Sequence, residues 1–236
     1  MREFLYPGFT DTSADTFTLK DDPRSEIVGH PFARYRYDPA RATQDLADAG
    51  WAVAADGRLI GRDGPQVQIE VRGGNTDVTS VSFVADAWRR LGVNASEVIV
   101  AGTNSNNPEY RSTFPGVENT ARGVAEQILP NFDGRLHSTA ENRWTGSNRM
   151  HYANRELDQR VDRLYGALDP HQQGQIIKEI GDVLSADLPA LPLYFVVEFA
   201  ASARGVRAMT DDFVGTIGPG NGPGLVARNA YLWDRT

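Results

Sequence analysis

An α/β fold is predicted by three neighbouring features of the chain. They are an alternating stretch at 67–72, an amphipathic stretch at 76–91, and a short apolar run at Val98-Ile99-Val100. In the first, Val67, Ile69 and Val71 point to one face and Gln68, Glu70 and Arg72 to the other, which predicts a half-buried strand. Gly73-Gly74-Asn75 then turns the chain into a helix with Val81, Val84, Trp88 and Leu91 as its buried stripe and Gly92 as its stop. Strand, helix and strand in such close succession form a right-handed βαβ unit with parallel strands.

The remaining elements follow in chain order. The first 37 residues are aperiodic and rich in Asp, Thr, Pro and Gly, and read as a lead-in of loops with at most one short strand. A helix follows, with Asp38 as its cap, Pro39 at its first position, Ala42, Leu46 and Ala49 inward, and Gly50 at its end. Residues 56–65 form a turn region. The stretch 102–152 is irregular and dense in Asn, Gly, Pro and Arg, with a short helix expected from Val124 to Leu129. A loop region of that length inside a domain is usually functional or disordered. Two more helices are predicted. One begins near Asn154 with Leu157, Val161 and Leu164 inward. The other has Asp169 as N-cap, Pro170 at its first position, Gln172 in the capping-box place, and Ile176, Ile180, Val183 and Leu184 inward. Leu191 to Ala203 is an apolar strand candidate, and 205–236 is loose and glycine-rich.

Composition excludes several classes of function. The chain has 236 residues and a net charge of -7, which argues against nucleic acid or an anionic membrane surface as the main partner. With 40% hydrophobic and 23% charged residues it is ordinary globular material. It has no cysteine, so thiol catalysis, cysteine-based zinc sites and disulfides are ruled out. Four histidines, two of them 14 residues apart at His137 and His151, do not give a metal-ligand spacing, and neither metal nor cofactor is expected. No apolar run reaches a membrane span of roughly 18 residues. No signal peptide is expected at Met1-Arg2-Glu3-Phe4-Leu5, since no apolar region follows.

Residues that carry chemistry gather in the irregular stretch. Glu141-Asn142-Arg143-Trp144-Thr145-Gly146-Ser147-Asn148-Arg149 sets an indole, two guanidinium groups and two amides within nine residues. Trp offers a stacking face, Arg a fork for a carboxylate, and Asn a donor and an acceptor. Two readings stay open: a ligand-facing loop, or a turn packed on Trp144 with both arginines in solvent. No Gly-x-Ser-x-Gly elbow occurs, and Ser147 in Thr145-Gly146-Ser147-Asn148 lacks the second glycine. The glycines at 218–224 have neither the preceding strand nor the following helix that a phosphate loop needs.

Several segments, in order, resemble the family 5 extracellular solute-binding proteins of ABC transporters, the oligopeptide- and dipeptide-binding class. Tyr37-Asp38-Pro39-Ala40-Arg41-Ala42 through Ala49-Gly50-Trp51 is similar to that family's "YDP-x-x-A … AGW" helix. Tyr152-Ala153-Asn154-Arg155-Glu156-Leu157-Asp158 resembles "Y-x-NPE-x-D", with Arg155 in place of proline. Asp187-Leu188-Pro189-Ala190-Leu191-Pro192-Leu193-Tyr194 resembles "D-x-P-x-(I/L)PLY", and Asn229-Ala230-Tyr231-Leu232-Trp233 the closing motif. Members are roughly twice this length, and all the matched segments belong to their C-terminal half.

The resemblance implies the C-terminal lobe of a periplasmic-binding-protein-like (type II) fold, a mixed sheet with flanking helices and a loose C-terminal tail. Residues 1–197 would form the lobe, and 198–236 would be the return strand and tail that complete a missing first lobe. It further implies a non-enzymatic role: capture of a small ligand, a peptide or other polar solute, between two lobes for delivery to a cognate ABC permease. The parent would be extracytoplasmic, periplasmic or a cell-surface lipoprotein. The family's "W-x-x-D-Y"-like stretch, which holds a peptide's amino terminus, falls here on Arg111 to Gly116 and has no acid. An anionic or polyhydroxylated solute suits the residues better, with Arg111, Phe114, Asn142, Arg143, Trp144, Asn148 and Arg149 as the ligand-binding set. Self-association of an isolated lobe is expected from the surface its partner lobe would cover. The rivals are a small α/β hydrolase using Ser147 with His137 or His151, and a sensor or interaction domain derived from the same lobe.

Overall fold

A computed structural model describes residues 13–19, 22–30, 33, 35–61, 64–123 and 125–196, with the backbone of 206–207 and 234–235. The chain enters through a short helix, α1 (Ser25–Val28), whose Val28 is buried. Arg24, just before it, pairs with Asp22 at 2.8 Å and with Glu126, and its guanidinium also reaches Gln173. That clamp holds the Asp22 carboxyl below its ordinary range.

The capped helix is α2 (Pro39–Asp48), with the Asp38 side chain accepting from the Arg41 amide. The sequence assigns it an inner face, yet none of its residues is fully buried: Ala42 and Leu46 are half-buried and Ala49 is exposed. The turn region is a small antiparallel hairpin, β1 (Ala52–Val53) with β2 (Leu59–Ile60), and Trp51 packs against Gly61.

The βαβ unit forms as the pattern predicts. Strand β3 (Gln68–Gly73) runs parallel to β4 (Asn94–Ile99), with helix α3 (Val78–Arg89) crossing between them. Val71, Val81, Ala85 and Ala95 form their shared core. Two corrections apply. The second strand starts four residues before Val98, and β3 is covered on both sides where a half-buried strand was expected. Arg72 on its polar face is only 3% exposed.

After a one-turn helix, α4 (Gly102–Ser105), comes a strand that the sequence pattern does not announce, β5 (Gly116–Asn119). It pairs parallel to β3 on the side opposite β4, so the order is β4-β3-β5. The antiparallel pairs belong to separate two-stranded ladders. The short helix expected at Val124 to Leu129 is a 3-10 helix over Ala125–Asn131 with Pro130 inside it, a tighter winding suited to short pieces.

The main core lies beneath the last two helices, α5 (Arg155–Gly166) and α6 (Pro170–Asp187). Their caps are those the sequence specifies: Asn154 accepts from Glu156 and Leu157, and Asp169 from Gln172. Leu157, Val161, Leu164, Ile176, Ile180 and Leu184 pack with Ile128, Leu129 and Phe132. Of the expected strand from Leu191 to Ala203, residues 191–196 make only one bridge, Ser13 to Tyr194, and 197–203 lie outside the described residues. The boundary at 197 and the segment 198–236 also lie outside them. The exceptions are two short strands, β6 (Val206–Arg207) and β7 (Asp234–Arg235), which pair antiparallel.

Candidate functional site

In an open parallel sheet, the loops at the carboxyl ends of two strands diverge where the strand order reverses. That divergence leaves a crevice for ligands. Here the chain goes from β3 to β4 on one side and returns to β5 on the other, so the point of reversal falls between β3 and β5, and the candidate site is sought at their carboxyl ends. The loop after β3 is 74–77, entered from Gly73 at the end of the strand. A Cβ on Gly73 would collide with Val81 at 2.7 Å, so the close packing of the helix start against the strand requires glycine. The Asp77 carboxylate accepts from the Gly74 amide at 2.9 Å. Burial, reinforced by the nearby Glu118 charge, pushes that carboxyl above its ordinary value.

On β5, Glu118 is the focus of the site. Arg111 grips it through two hydrogen bonds of 2.9 Å each. Arg122 and Arg149 approach the same carboxylate at 3.8 and 3.9 Å, beyond hydrogen-bond reach. Arg122 also donates to the Thr120 hydroxyl at 2.9 Å. Burial and mutual repulsion lower the proton affinity of both looser arginines, Glu118 opposing, although both stay cationic. Among the described residues, one buried terminal nitrogen of Arg149 has no hydrogen-bond acceptor.

The turn supplying Arg111 is anchored from below. Arg72 stands opposite Glu118 in the sheet register. Its guanidinium pairs with Glu70, donates to the Tyr110 carbonyl at 2.9 Å, and lies 4.5 Å from the Tyr110 ring centre and 4.0 Å from that of Phe114. Phe114 is thus placed next to the arginine cluster as the lid of a buried cation.

The loop 137–149 ends on Arg149, which ties it to β5. Asn142 builds its turn. Its Oδ1 accepts from the Thr139 amide at 3.0 Å and its Nδ2 donates to the His137 carbonyl at 2.7 Å. Arg143 and Trp144 follow in the left-handed region at φ 54° and 59°, a conformation that costs a non-glycine residue roughly 1 kcal/mol or more. Asn148 is fully buried, and its amide donates to the carbonyls of Asp133 and Tyr152 at 3.0 and 2.7 Å. Gly146 has no room for a Cβ, which would meet the His137 carbonyl. Arg143→Gly is expected to be more stable than Arg143→Ala by about 1 kcal/mol, read from urea midpoints. Equal midpoints would show that the left-handed turn stores no strain.

The predicted set therefore divides. Arg111 and Arg149 meet beside Glu118 and Phe114 stacks on Arg72, whereas Asn142, Arg143 and Trp144 form the turn of the loop and Asn148 sits beneath it. Sequence reasoning missed Glu118, Arg122, Asp77 and Arg72. The acid absent from 111–116 stands two residues further on. Among the described residues, no hydrogen bond joins Ser147 to a histidine. His137 donates to the Tyr152 carbonyl and His151 to that of Ser138, their rings stacked with centres 5.2 Å apart. No group of three or more metal-binding side chains occurs among the described residues.

The strand reversal, its flanking helices and the loops at the strand ends define an α/β lobe. Comparison with solved structures shows which. The chain superposes on an oligopeptide-binding protein of Thermus thermophilus, complexed with a pentapeptide, at a TM-score of 0.65 and 21% identity, over 82% of this chain and 35% of that one. It matches NikZ of Campylobacter jejuni, in complex with Ni(L-His), at 0.63 and 19% over 90% and 42%. A mannohexaose-bound periplasmic oligopeptide-binding protein of Thermotoga maritima matches at 0.62 and 20% over 78% and 36%. The fold is that of the C-terminal lobe of a periplasmic-binding-protein-like (type II) protein. No family model matches. In sequence, the chain is 26% identical over 199 residues to an uncharacterized lipoprotein of Mycobacterium tuberculosis, covering 73% of this chain. It spans about a third, 33%, of that relative's length. No helix among the described residues is long and apolar enough to cross a membrane.

Proposed function

We propose that this chain is the C-terminal lobe of a family 5 solute-binding protein, a non-enzymatic component of an ABC importer. It captures a small polar solute at the carboxyl ends of β3 and β5, and a first lobe closes over the site before delivery to the permease. Residues 1–197 form the lobe and 198–236 return to the first lobe. The parent acts outside the cytoplasm. The observation that supports this reading is the convergence of Arg111, Arg122 and Arg149 on Glu118 at the end of β5, where the strand order reverses. Closure is driven by contacts that both lobes make to the ligand only when shut. One lobe alone supplies part of the enclosing surface, so it binds weakly.

The test is amide chemical-shift mapping on the 236-residue chain against peptides, oligosaccharides and metal chelates. Weak, saturable shifts confined to 74–77, 118–122 and 142–149 are expected, and they should diminish in Arg149→Ala and Trp144→Ala. Shifts centred elsewhere, or undiminished in both variants, would sink the assignment of the site. Turnover of generic esters that is lost in Ser147→Ala would overturn the non-enzymatic reading.

A further inference from the structure

Two segments far apart in the chain flank Glu118, and each is closed by bonds of its own. In the turn 107–113, the Arg111 amide donates to the Asn107 carbonyl at 3.1 Å and the Ser112 amide to that of Glu109 at 2.9 Å. In the loop 137–149, the Ser138 amide donates to the Asn148 carbonyl and the Asn148 amide to that of Leu136, both at 2.9 Å. Segments bonded in this way open and shift as units, so their mutual registry depends on what joins them. Arg149 stands off Glu118 at 3.9 Å, too far for a hydrogen bond. Among the described residues, one hydrogen bond joins turn and loop directly, that between the Ser112 and Ser138 hydroxyls at 2.9 Å.

The direction of that bond follows from counting protons. The single hydroxyl proton of Ser112 goes to the Pro108 carbonyl at 2.7 Å, so Ser138 donates and Ser112 accepts. Ser138 is 0% exposed, and bulk water cannot stand in for its partner. It is also where the loop's own bonds meet, since its carbonyl accepts from the His151 ring at 2.8 Å.

We propose that Ser138 is a positioning residue: by donating to Ser112 it fixes the loop that carries Trp144 and Arg149 to the turn that carries Arg111, and the two sides of the candidate site act as one surface. The functional consequence rests on the solute-binding reading: a solute touching the loop is felt at the turn. The two hydroxyls are not equivalent. Removing that of Ser112 strands a buried donor, whereas removing that of Ser138 leaves Ser112 bonded to Pro108.

The experiment follows backbone amides and arginine Nε–Hε signals of the 236-residue chain without solute, using Asn142→Ala as a disturbance on the loop side. Asn142→Ala should shift the amides of 108–113 and the Arg111 signal, and in a Ser138→Ala background those shifts should shrink at least about threefold. Hydrogen exchange across 139–149 should quicken about tenfold in Ser138→Ala and more in Ser112→Ala. The double variant should return toward Ser138→Ala, and Ser112→Thr, which keeps the hydroxyl, should match the unsubstituted chain. Exchange in α5 and α6 should stay as it was. Shifts at 108–113 of equal size in both backgrounds would overturn the proposal, as would exchange that quickens equally in α5 and α6. A Ser112→Ala milder than Ser138→Ala would overturn the direction of the bond. The unsubstituted chain should also show a slowly exchanging Ser138 hydroxyl proton with a cross-peak to Ser112, and its absence would sink the idea even if no variant folds. None of these readouts involves a solute, so failed solute mapping would sink the solute-binding reading and leave the coupling in place.

Discussion

Phe132→Ala is expected to lower the unfolding free energy by about 3–5 kcal/mol, the range for deleting a fully buried phenyl ring. The ring is 0% exposed and belongs to the core beneath α5 and α6. It packs 5.5 Å from Phe17 and meets Tyr152 edge-on at 6.4 Å. Three elements distant in sequence therefore meet on one side chain, so the void has little chance to collapse. The next residue, Asp133, caps the 3-10 turn Gly134–Leu136, from which the site loop departs. The loss should thus reach the candidate site as well as the core. Urea unfolding measures it as a lower midpoint with the slope unchanged. A cost below about 1.5 kcal/mol would mean that the three elements close over the gap.

Arg72→Ala should cost a comparable amount, about 3–5 kcal/mol, because removing one partner of a buried ion pair strands the other. The Arg72 side chain is 4% exposed and that of Glu70 is 19%, so the carboxylate left behind is poorly hydrated. The Tyr110 carbonyl loses its donor and the rings of Tyr110 and Phe114 lose the cation between them. Arg72→Met with Glu70→Gln should recover most of the loss, since an uncharged pair of similar volume avoids the stranded charge. If the double variant is no better than Arg72→Ala, the aromatic and carbonyl contacts outweigh the ion pair. Arg72→Ala should also free the turn that supplies Arg111 and so blur the site, visible as exchange broadening of the Arg111 side-chain signal.

The legible and illegible parts of this molecule separate by the range of the interactions involved. Helices α5 and α6 were readable to their caps because Asn154, Asp169 and Pro170 act on backbone groups within three residues. Strand β3 was readable from alternation, but alternation only sorts side chains onto two faces. It does not say what covers each face, and the cover for Arg72 comes from Tyr110 and Phe114, some forty residues on. For the same reason α2 has a recognisable inward stripe yet buries no residue fully.

The candidate site was half visible. Arg111, Phe114 and Arg149 stood out as side chains suited to an oxyanion or a stacking surface. Glu118 did not, because β5 is four residues long and its Gly-Val-Glu-Asn carries neither an apolar run nor clear alternation. Without β5 there is no strand reversal, and without the reversal no crevice can be located. The loop at 142–149 was marked by composition alone. Its left-handed pair Arg143 and Trp144 is imposed by the Asn142 and Thr139 hydrogen bonds that close the turn.

By itself the sequence determined the α/β class, the βαβ unit, the N-caps Asp38, Asn154 and Asp169, and the absence of cysteine chemistry. Each of these follows from local periodicity, local capping or composition. Only the tertiary structure decided that β5 pairs on the far side of β3, that Arg72 is buried, and that three arginines converge on one glutamate. Those outcomes depend on which distant segments share a face, and a one-dimensional pattern carries no record of that pairing.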